Sequence, residues 1–134
     1  MRRLAFAFLF LLLASLASCS GTANPGGSSL TEVQVTLTDY KIGMSLTDFA
    51  VKKPYRFVVT NQGRTSHEFV IGPTASGHTH ESSLPVIEED KLPPGGKASL
   101  DYSFTQPSEE GALEAACHLP GHYEQGMRLP ITVQ

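Results

Sequence analysis

Several residue types and patterns are scarce in this sequence, and most of these absences argue against a class of structure or function. The chain has no tryptophan, and its ten lysines and arginines are outnumbered by thirteen acidic residues. Without an excess of basic residues, binding to nucleic acid or to an anionic membrane through charge is not expected. No stretch keeps a helical apolar period over three turns. The longest apolar run, residues 4–13, is shorter than the roughly 20 residues that cross a bilayer as a helix.

The N-terminus has the pattern of an export signal. Arg2 and Arg3 precede the apolar run, and small residues follow it. The residues Leu16-Ala17-Ser18-Cys19 resemble a bacterial lipobox, in which the chain is cut before the cysteine and the cysteine receives lipid. A retained anchor helix, or ordinary cleavage nearby with Cys19 incidental, are the alternatives.

The lipobox reading divides the chain into three parts. Residues 1–18 are a lipoprotein signal peptide, residues 19–30 are the lipidated cysteine and a flexible linker rich in Gly and Ser, and residues 31–134 are the folded domain. We therefore expect a protein anchored by lipid to a bacterial membrane, facing the periplasm or the cell exterior. Removal of residues 1–18 takes away two arginines and leaves 8 basic and 13 acidic residues, a formal charge of -5.

The folded part consists of short alternating segments separated by turns, which predicts an all-β fold with about seven or eight strands. Residues 73–97 are the exception: they carry four prolines and read as a long excursion with one short strand or helical turn. The predicted strands are marked by Val33–Leu37, Ile42–Leu46, Tyr55–Thr60, His67–Ile71, Leu100–Phe104, Gly111–Cys117 and Leu129–Val133. Such spacing favours a β-sandwich.

Cys117 is left without a disulfide partner if Cys19 is lipidated, so it binds metal, reacts or is simply buried. It opens a segment that offers a thiolate, then His122 five residues later, then Met127 five residues after that. Thiolate and thioether are soft ligands that favour copper, and a trigonal site of two His and one Cys with a weak axial Met serves electron transfer. His67 is the best candidate for the second imidazole. Zinc is a possible occupant, but a thioether is a poor zinc ligand.

These residues, Asn61-Gln-Gly-x-x-x-His67 followed by Cys117-x4-His122-x4-Met127, resemble the cupredoxins, the type 1 blue copper family. The ligand spacing is similar to that of sulfocyanins, rusticyanin and auracyanin-like proteins. The resemblance implies a Greek-key β-sandwich with one copper ion at one end. It also implies that His67, Cys117 and His122 are equatorial ligands and Met127 the axial one.

Two residues depart from the family pattern. Glu68 stands where many members have Asn or Ser, and strand alternation would turn it outward; the alternative is a carboxylate near the ligands that lowers the reduction potential. His118 stands where electron carriers usually have a hydroxyl residue. It reads as a surface histidine, an electron relay or a transient copper contact.

The resemblance leaves two functions open. The first is carriage of single electrons by Cu(II)/Cu(I) cycling, with redox proteins as partners. The second is copper tolerance or delivery, with copper donors and acceptors as partners. The pair His78 and His80 in the long excursion favours the second, as a possible secondary metal site together with His118, although a solvated loop is the simpler reading. An enzyme is not expected, since cupredoxin enzymes usually need further copper sites or domains. We expect a monomer.

Overall fold

The computed structural model describes residues 30–74 and 84–134, and in them the chain forms nine β-strands. The prediction of an all-β sandwich is confirmed. The strands are β1 (Thr31–Thr38), β2 (Lys41–Met44), β3 (Asp48–Phe49), β4 (Pro54–Asn61), β5 (Phe69–Pro73), β6 (Val86–Ile87), β7 (Lys97–Ser103), β8 (Leu113–Ala116) and β9 (Arg128–Val133). One 3-10 turn, Glu89–Lys91, follows β6.

The strands form two sheets. The first has the order β2-β1-β4-β7 and the second the order β3-β9-β8-β5-β6. In the first sheet β1 pairs with β4 in parallel, and in the second β3 pairs with β9 in parallel. The other pairs are antiparallel. The starts of β5 and β9 and the end of β8 therefore lie at the same end of the second sheet, which is where the predicted ligands are found.

The core lies between the two sheets and follows from the two-residue period of the strands. Alternate residues of β1 and β4 are buried, and they face apolar residues of the second sheet across a layer about 10 Å thick. An aromatic cluster fills the end away from the predicted ligands, with Phe49 5.1 Å from Phe104 and 4.9 Å from Tyr55 between ring centroids. Burial of apolar surface is the main stabilising contribution to such a core, and each aromatic ring contributes a large share per residue.

The structure corrects several sequence expectations. The strands β3 and β6 have two residues each, which is too short for an alternation to be seen. The excursion after Pro73 contains both a short strand and a 3-10 turn, where one of them was expected. His67 precedes β5 and is not part of it.

Some predictions fall on residues outside the described part of the chain. These are the signal peptide, Cys19 with its linker, and the pair His78 and His80. Among the residues that the structure describes, no helix has the length and apolar character needed to cross a membrane.

Candidate metal centre

Three of the predicted ligands converge at one end of the sandwich. His67 precedes β5, Cys117 follows β8, and His122 lies in the turn that leads from β8 to β9. One ligand atom from each lies within 4.8 Å of the other two. Within residues 30–74 and 84–134, this is the one group of three or more His, Cys, Asp or Glu residues close enough to hold a metal ion.

The distances in this cluster fit a single metal ion. The Nδ1 atoms of His67 and His122 are 3.2 Å apart, and the Cys117 sulfur is 3.3 Å from His122 Nδ1. Two imidazole nitrogens held about 2.0–2.1 Å from one ion at a tetrahedral angle would be separated by roughly 3.3 Å. A thiolate and two imidazoles at this spacing form a soft donor set of the kind that copper prefers.

Met127, the predicted thioether ligand, ends the same turn directly before β9. Its side chain is fully buried in the core cluster that also contains Cys117. The Cys117 amide donates to the Met127 carbonyl at 3.1 Å, and the Met127 amide donates to the His122 carbonyl at 3.1 Å. These two bonds tie the thiolate, imidazole and thioether residues together through the backbone, so the turn holds all three in a fixed relation.

Asn61 arranges the segment that carries His67. It is buried at the end of β4, where its side-chain amide donates to the carbonyls of Thr65 and Leu92 at 2.8 and 2.9 Å. Its Oδ1 accepts from the Gly63 amide at 2.8 Å. The His67 amide also donates to the Leu92 carbonyl, at 3.1 Å. The Asn-Gln-Gly stretch therefore does more than end a strand: it closes a turn that aims His67 into the site.

The far edge of the His67 ring lies beside Asp39. Its Nε2 is buried and is 3.8 Å from Asp39 Oδ1, while Asp39 accepts bonds from the backbone and side chain of Arg64. Those bonds, and the Arg64 charge, lower the pKa of Asp39. Burial lowers the pKa of His67, and the neighbouring His122 lowers it further. A lowered pKa keeps the imidazole neutral, which is the form that binds metal, and the nitrogen that faces His122 is Nδ1.

Cys117 is fully buried at the inner end of the site. Burial raises the pKa of its thiol, while hydrogen bonds from the backbone amides of Glu68 and Leu119 to the sulfur act in the opposite direction. A buried thiol that receives two amide bonds is prepared to act as a thiolate once a cation replaces its proton.

Glu68 does not face outward as strand alternation suggested. It is 3% exposed, and its Oε1 accepts a 2.6 Å hydrogen bond from the His118 amide. The alternation argument was wrong because residues 66–68 precede β5 and do not follow strand geometry. The carboxylate instead links the segment of His67 to the residue that follows Cys117.

His118 lies outside the cluster, and its ring meets Tyr123 edge-on with centroids 5.5 Å apart. The Tyr123 hydroxyl donates to the buried Glu114 carboxylate at 2.6 Å and accepts from Arg128 at 3.0 Å. This network braces the ligand turn against β8 and β9. No sequence pattern predicted this network.

His122 is the partly exposed member of the cluster. Tyr40, in the turn between β1 and β2, meets the His122 ring edge-on at 5.5 Å and is 39% exposed. Tyr40 has a φ of 63°, in the left-handed region that residues other than glycine rarely adopt. No pattern in the sequence indicated that Tyr40 would cover the ligand turn.

The chain is similar to three copper-resistant cuproproteins CopI. It is 35% identical to the one from Rubrivivax gelatinosus over 87 residues, which cover 59% of this chain and 51% of that protein. The identity is 26% with the one from Pseudomonas aeruginosa, covering 76% of this chain and 75% of the relative. With the one from Vibrio cholerae it is 30%, covering 80% of this chain and 68% of the relative. The chain thus spans about half the length of the Rubrivivax protein.

The fold is similar to those of solved auracyanins. The reduced auracyanin from Roseiflexus castenholzii superposes with a TM-score of 0.61 at 16% identity, covering 81% of this chain and 99% of that one. Auracyanin B superposes with a TM-score of 0.62 at 18% identity, covering 78% and 88%. At this identity the likeness establishes the cupredoxin fold. No protein-family model matches the chain.

Proposed function

The chain belongs to the family of the copper-resistant cuproproteins CopI, and on that premise we propose that it confers copper tolerance by holding one copper ion outside the cytoplasm. That it is a copper protein with the cupredoxin fold follows from the relatives and the neighbouring structures. The observation that carries the proposal is the convergence of two imidazoles and a buried thiol within 4.8 Å.

We assign His67, Cys117 and His122 as the residues that would hold the ion, with the Met127 thioether as a fourth donor. A copper ion held by this donor set would supply one-electron chemistry between Cu(II) and Cu(I). The chain's own part is to keep the ligands fixed. Asn61 aims His67, the backbone bonds of the turn fix Cys117 and Met127, and the buried core excludes water from the sulfur.

Copper titration followed by visible spectroscopy tests the site. One equivalent should produce an intense thiolate-to-copper band, and further copper should leave that band unchanged. The biological role is tested by expressing the full chain in a bacterium deprived of its own copper-tolerance proteins. Growth in added copper should improve with the native chain and not with Cys117→Ser. Equal protection by both would contradict the assignment.

Electron carriage is the second candidate, and the partial exposure of His122 favours it. An imidazole that reaches from the metal to the surface is a short route for an electron, and small contact surfaces suit brief redox encounters. Fast electron self-exchange between copper-loaded molecules, measured by NMR line broadening, together with no effect on copper tolerance would favour the carrier.

We further propose that the chain is exported and is held at a membrane by lipid on Cys19. Its partners are then copper donors or acceptors in that compartment, or redox proteins if the second candidate holds. Membrane fractionation of the native chain and of Cys19→Ser tests the anchor: the native protein should sediment with membranes, and the variant should be released. Size-exclusion chromatography of the released form tests the expected monomer.

A further inference from the structure

Glu68 places a buried carboxylate between the two segments that carry the metal ligands. It directly follows His67, and its Oε1 accepts the amide proton of His118, the residue after Cys117, at 2.6 Å. The two bonded residues are 50 positions apart, and Glu68 is 3% exposed. Burial of a carboxylate costs free energy unless hydrogen bonds compensate it. The bond from the His118 amide therefore stabilises Glu68 in its buried position.

Glu68 also acts on Cys117 through its backbone. Its amide is one of two that hydrogen-bond the Cys117 sulfur, the other being that of Leu119. A single residue thus donates to the sulfur with its amide and accepts from the adjacent amide with its carboxylate. The backbone bond would remain in any variant at position 68, whereas the carboxylate bond and its negative charge depend on the side chain.

The charge of this carboxylate has a definite effect on a bound ion. In a poorly hydrated interior, a fixed negative charge interacts more strongly with neighbouring charges than it would in water. It stabilises a doubly charged cation more than a singly charged one at the same position. An apolar or amide side chain would not make this distinction.

We propose that Glu68 is a positioning residue that fastens the Cys117 segment to the His67 segment and makes the site favour Cu(II) over Cu(I). The inference rests on the proposed function, because it concerns the copper that the same ligands hold. With such a preference, the protein would confer copper tolerance by retaining copper as Cu(II). A simpler role, in which the side chain only ties the two segments, predicts no difference between the two oxidation states.

Two substitutions separate these roles. Glu68→Gln keeps the size of the side chain and an oxygen that accepts the His118 amide, but it removes the charge. Glu68→Asp keeps the charge but shortens the side chain. Glu109→Gln is the matched control, because it removes one exposed carboxylate from the loop before β8, at the opposite end of the sandwich.

The experiment measures the affinities of the full chain for Cu(II) and Cu(I) by chelator competition, and the reduction potential by spectroelectrochemistry. For Glu68→Gln we expect the ratio of Cu(II) to Cu(I) affinity to fall about tenfold. A tenfold change corresponds to a rise of about 59 mV in a one-electron potential. Glu68→Asp and Glu109→Gln should stay within about threefold of the native ratio.

The outcomes are distinct. An unchanged ratio in Glu68→Gln, or equal weakening of Cu(II) and Cu(I) binding, overturns the proposal and leaves only a tie between segments. If Glu68→Gln does not fold, a native-like ratio in Glu68→Asp supports the role of the charge, and a tenfold loss there overturns it. Failure of the native chain to form the thiolate-to-copper band would instead overturn the proposed function itself.

Discussion

Nδ1 of His67 and Nδ1 of His122 lie 3.2 Å apart, although 55 residues separate them in the chain. A backbone hydrogen bond holds each histidine in place: the His67 amide donates to the Leu92 carbonyl, and the His122 amide donates to the Leu119 carbonyl. The short distance between the two nitrogens is therefore determined by the fold of the chain. A site arranged in advance binds its ion without having to order the ligands first.

The first prediction concerns the neighbours Cys117 and His118. Cys117→Ser should abolish the visible thiolate band and most of the copper affinity, since the sulfur is the soft donor. Native protein with copper at 100 times its dissociation constant should gain about 2.7 kcal/mol in the free energy of unfolding. Chemical denaturation with and without copper measures this gain, and the serine variant should show little of it.

His118→Ala is the matched control, because His118 adjoins Cys117 but lies outside the ligand cluster. It should keep both the band and the stabilisation by copper. Loss of the band in His118→Ala would mean that the ligand assignment has to include this ring.

The second prediction concerns Gly63, which leaves room for the His67 ring. A Cβ added there would lie 2.6 Å from Asp39 Oδ1 and 2.7 Å from His67 Nε2. Gly63→Ala should therefore displace the ring, cost roughly 1–3 kcal/mol of stability and weaken copper binding. Gly43→Ala is the control, because its added Cβ would meet only the Thr36 oxygen at 3.9 Å. Denaturation of the copper-free proteins and copper titration check both; equal effects of the two substitutions would contradict the steric argument.

The third prediction separates packing from ligation at Met127. Met127→Leu keeps most of the apolar volume and should cost less than about 1.5 kcal/mol in the copper-free protein. Met127→Ala should cost about 2–5 kcal/mol, since it leaves a cavity in the buried cluster. Both variants lose the thioether, so both should change the energy or intensity of the copper band. A leucine variant with the native spectrum would exclude Met127 as a ligand.

The fourth prediction concerns the bond between the Tyr123 hydroxyl and the Glu114 carboxylate. Tyr123→Phe removes the donor to a buried acceptor and should destabilise the protein by about 1–3 kcal/mol. In a double-mutant cycle with Glu114→Gln, the two changes should be coupled by about 0.5–3 kcal/mol. Because Tyr123 follows His122, the phenylalanine variant should also release copper faster, as measured by stopped-flow transfer to a chelator. Additive effects on stability would argue against the bond.

Most of the fold was accessible from the sequence. The segments of β1, β4 and β9 were predicted because Val, Leu, Ile and Tyr recur at every second position and turn residues limit them. Two-residue strands show no period, so β3 was missed, and β6 was expected only as one short strand or helical turn somewhere in residues 73–97. Their pairing is specified by partners elsewhere in the chain, β9 for β3 and β5 for β6, and not by local composition.

The site was predicted less evenly. Cys117, His122 and Met127 could be recognised together because one turn contains them all. The burial of Glu68 and Glu114 could not be predicted, since a carboxylate is buried only when a distant donor meets it: the His118 amide for the first and the Tyr123 hydroxyl for the second. A carboxylate near the ligands was nevertheless one of the two interpretations of Glu68. The approach of Asp39 to His67 likewise joins two segments with no shared local pattern.

Tyr40 has a consequence for anyone who wishes to engineer this protein. A non-glycine residue in the left-handed region costs about 1 kcal/mol or more, so a screen for thermal tolerance alone would select glycine at position 40. The gain in stability would come with loss of the edge-on aromatic contact between Tyr40 and His122. Variants stabilised in this way should therefore be checked for faster release of copper. The tyrosine that strains the turn is also the residue that covers the His122 ring.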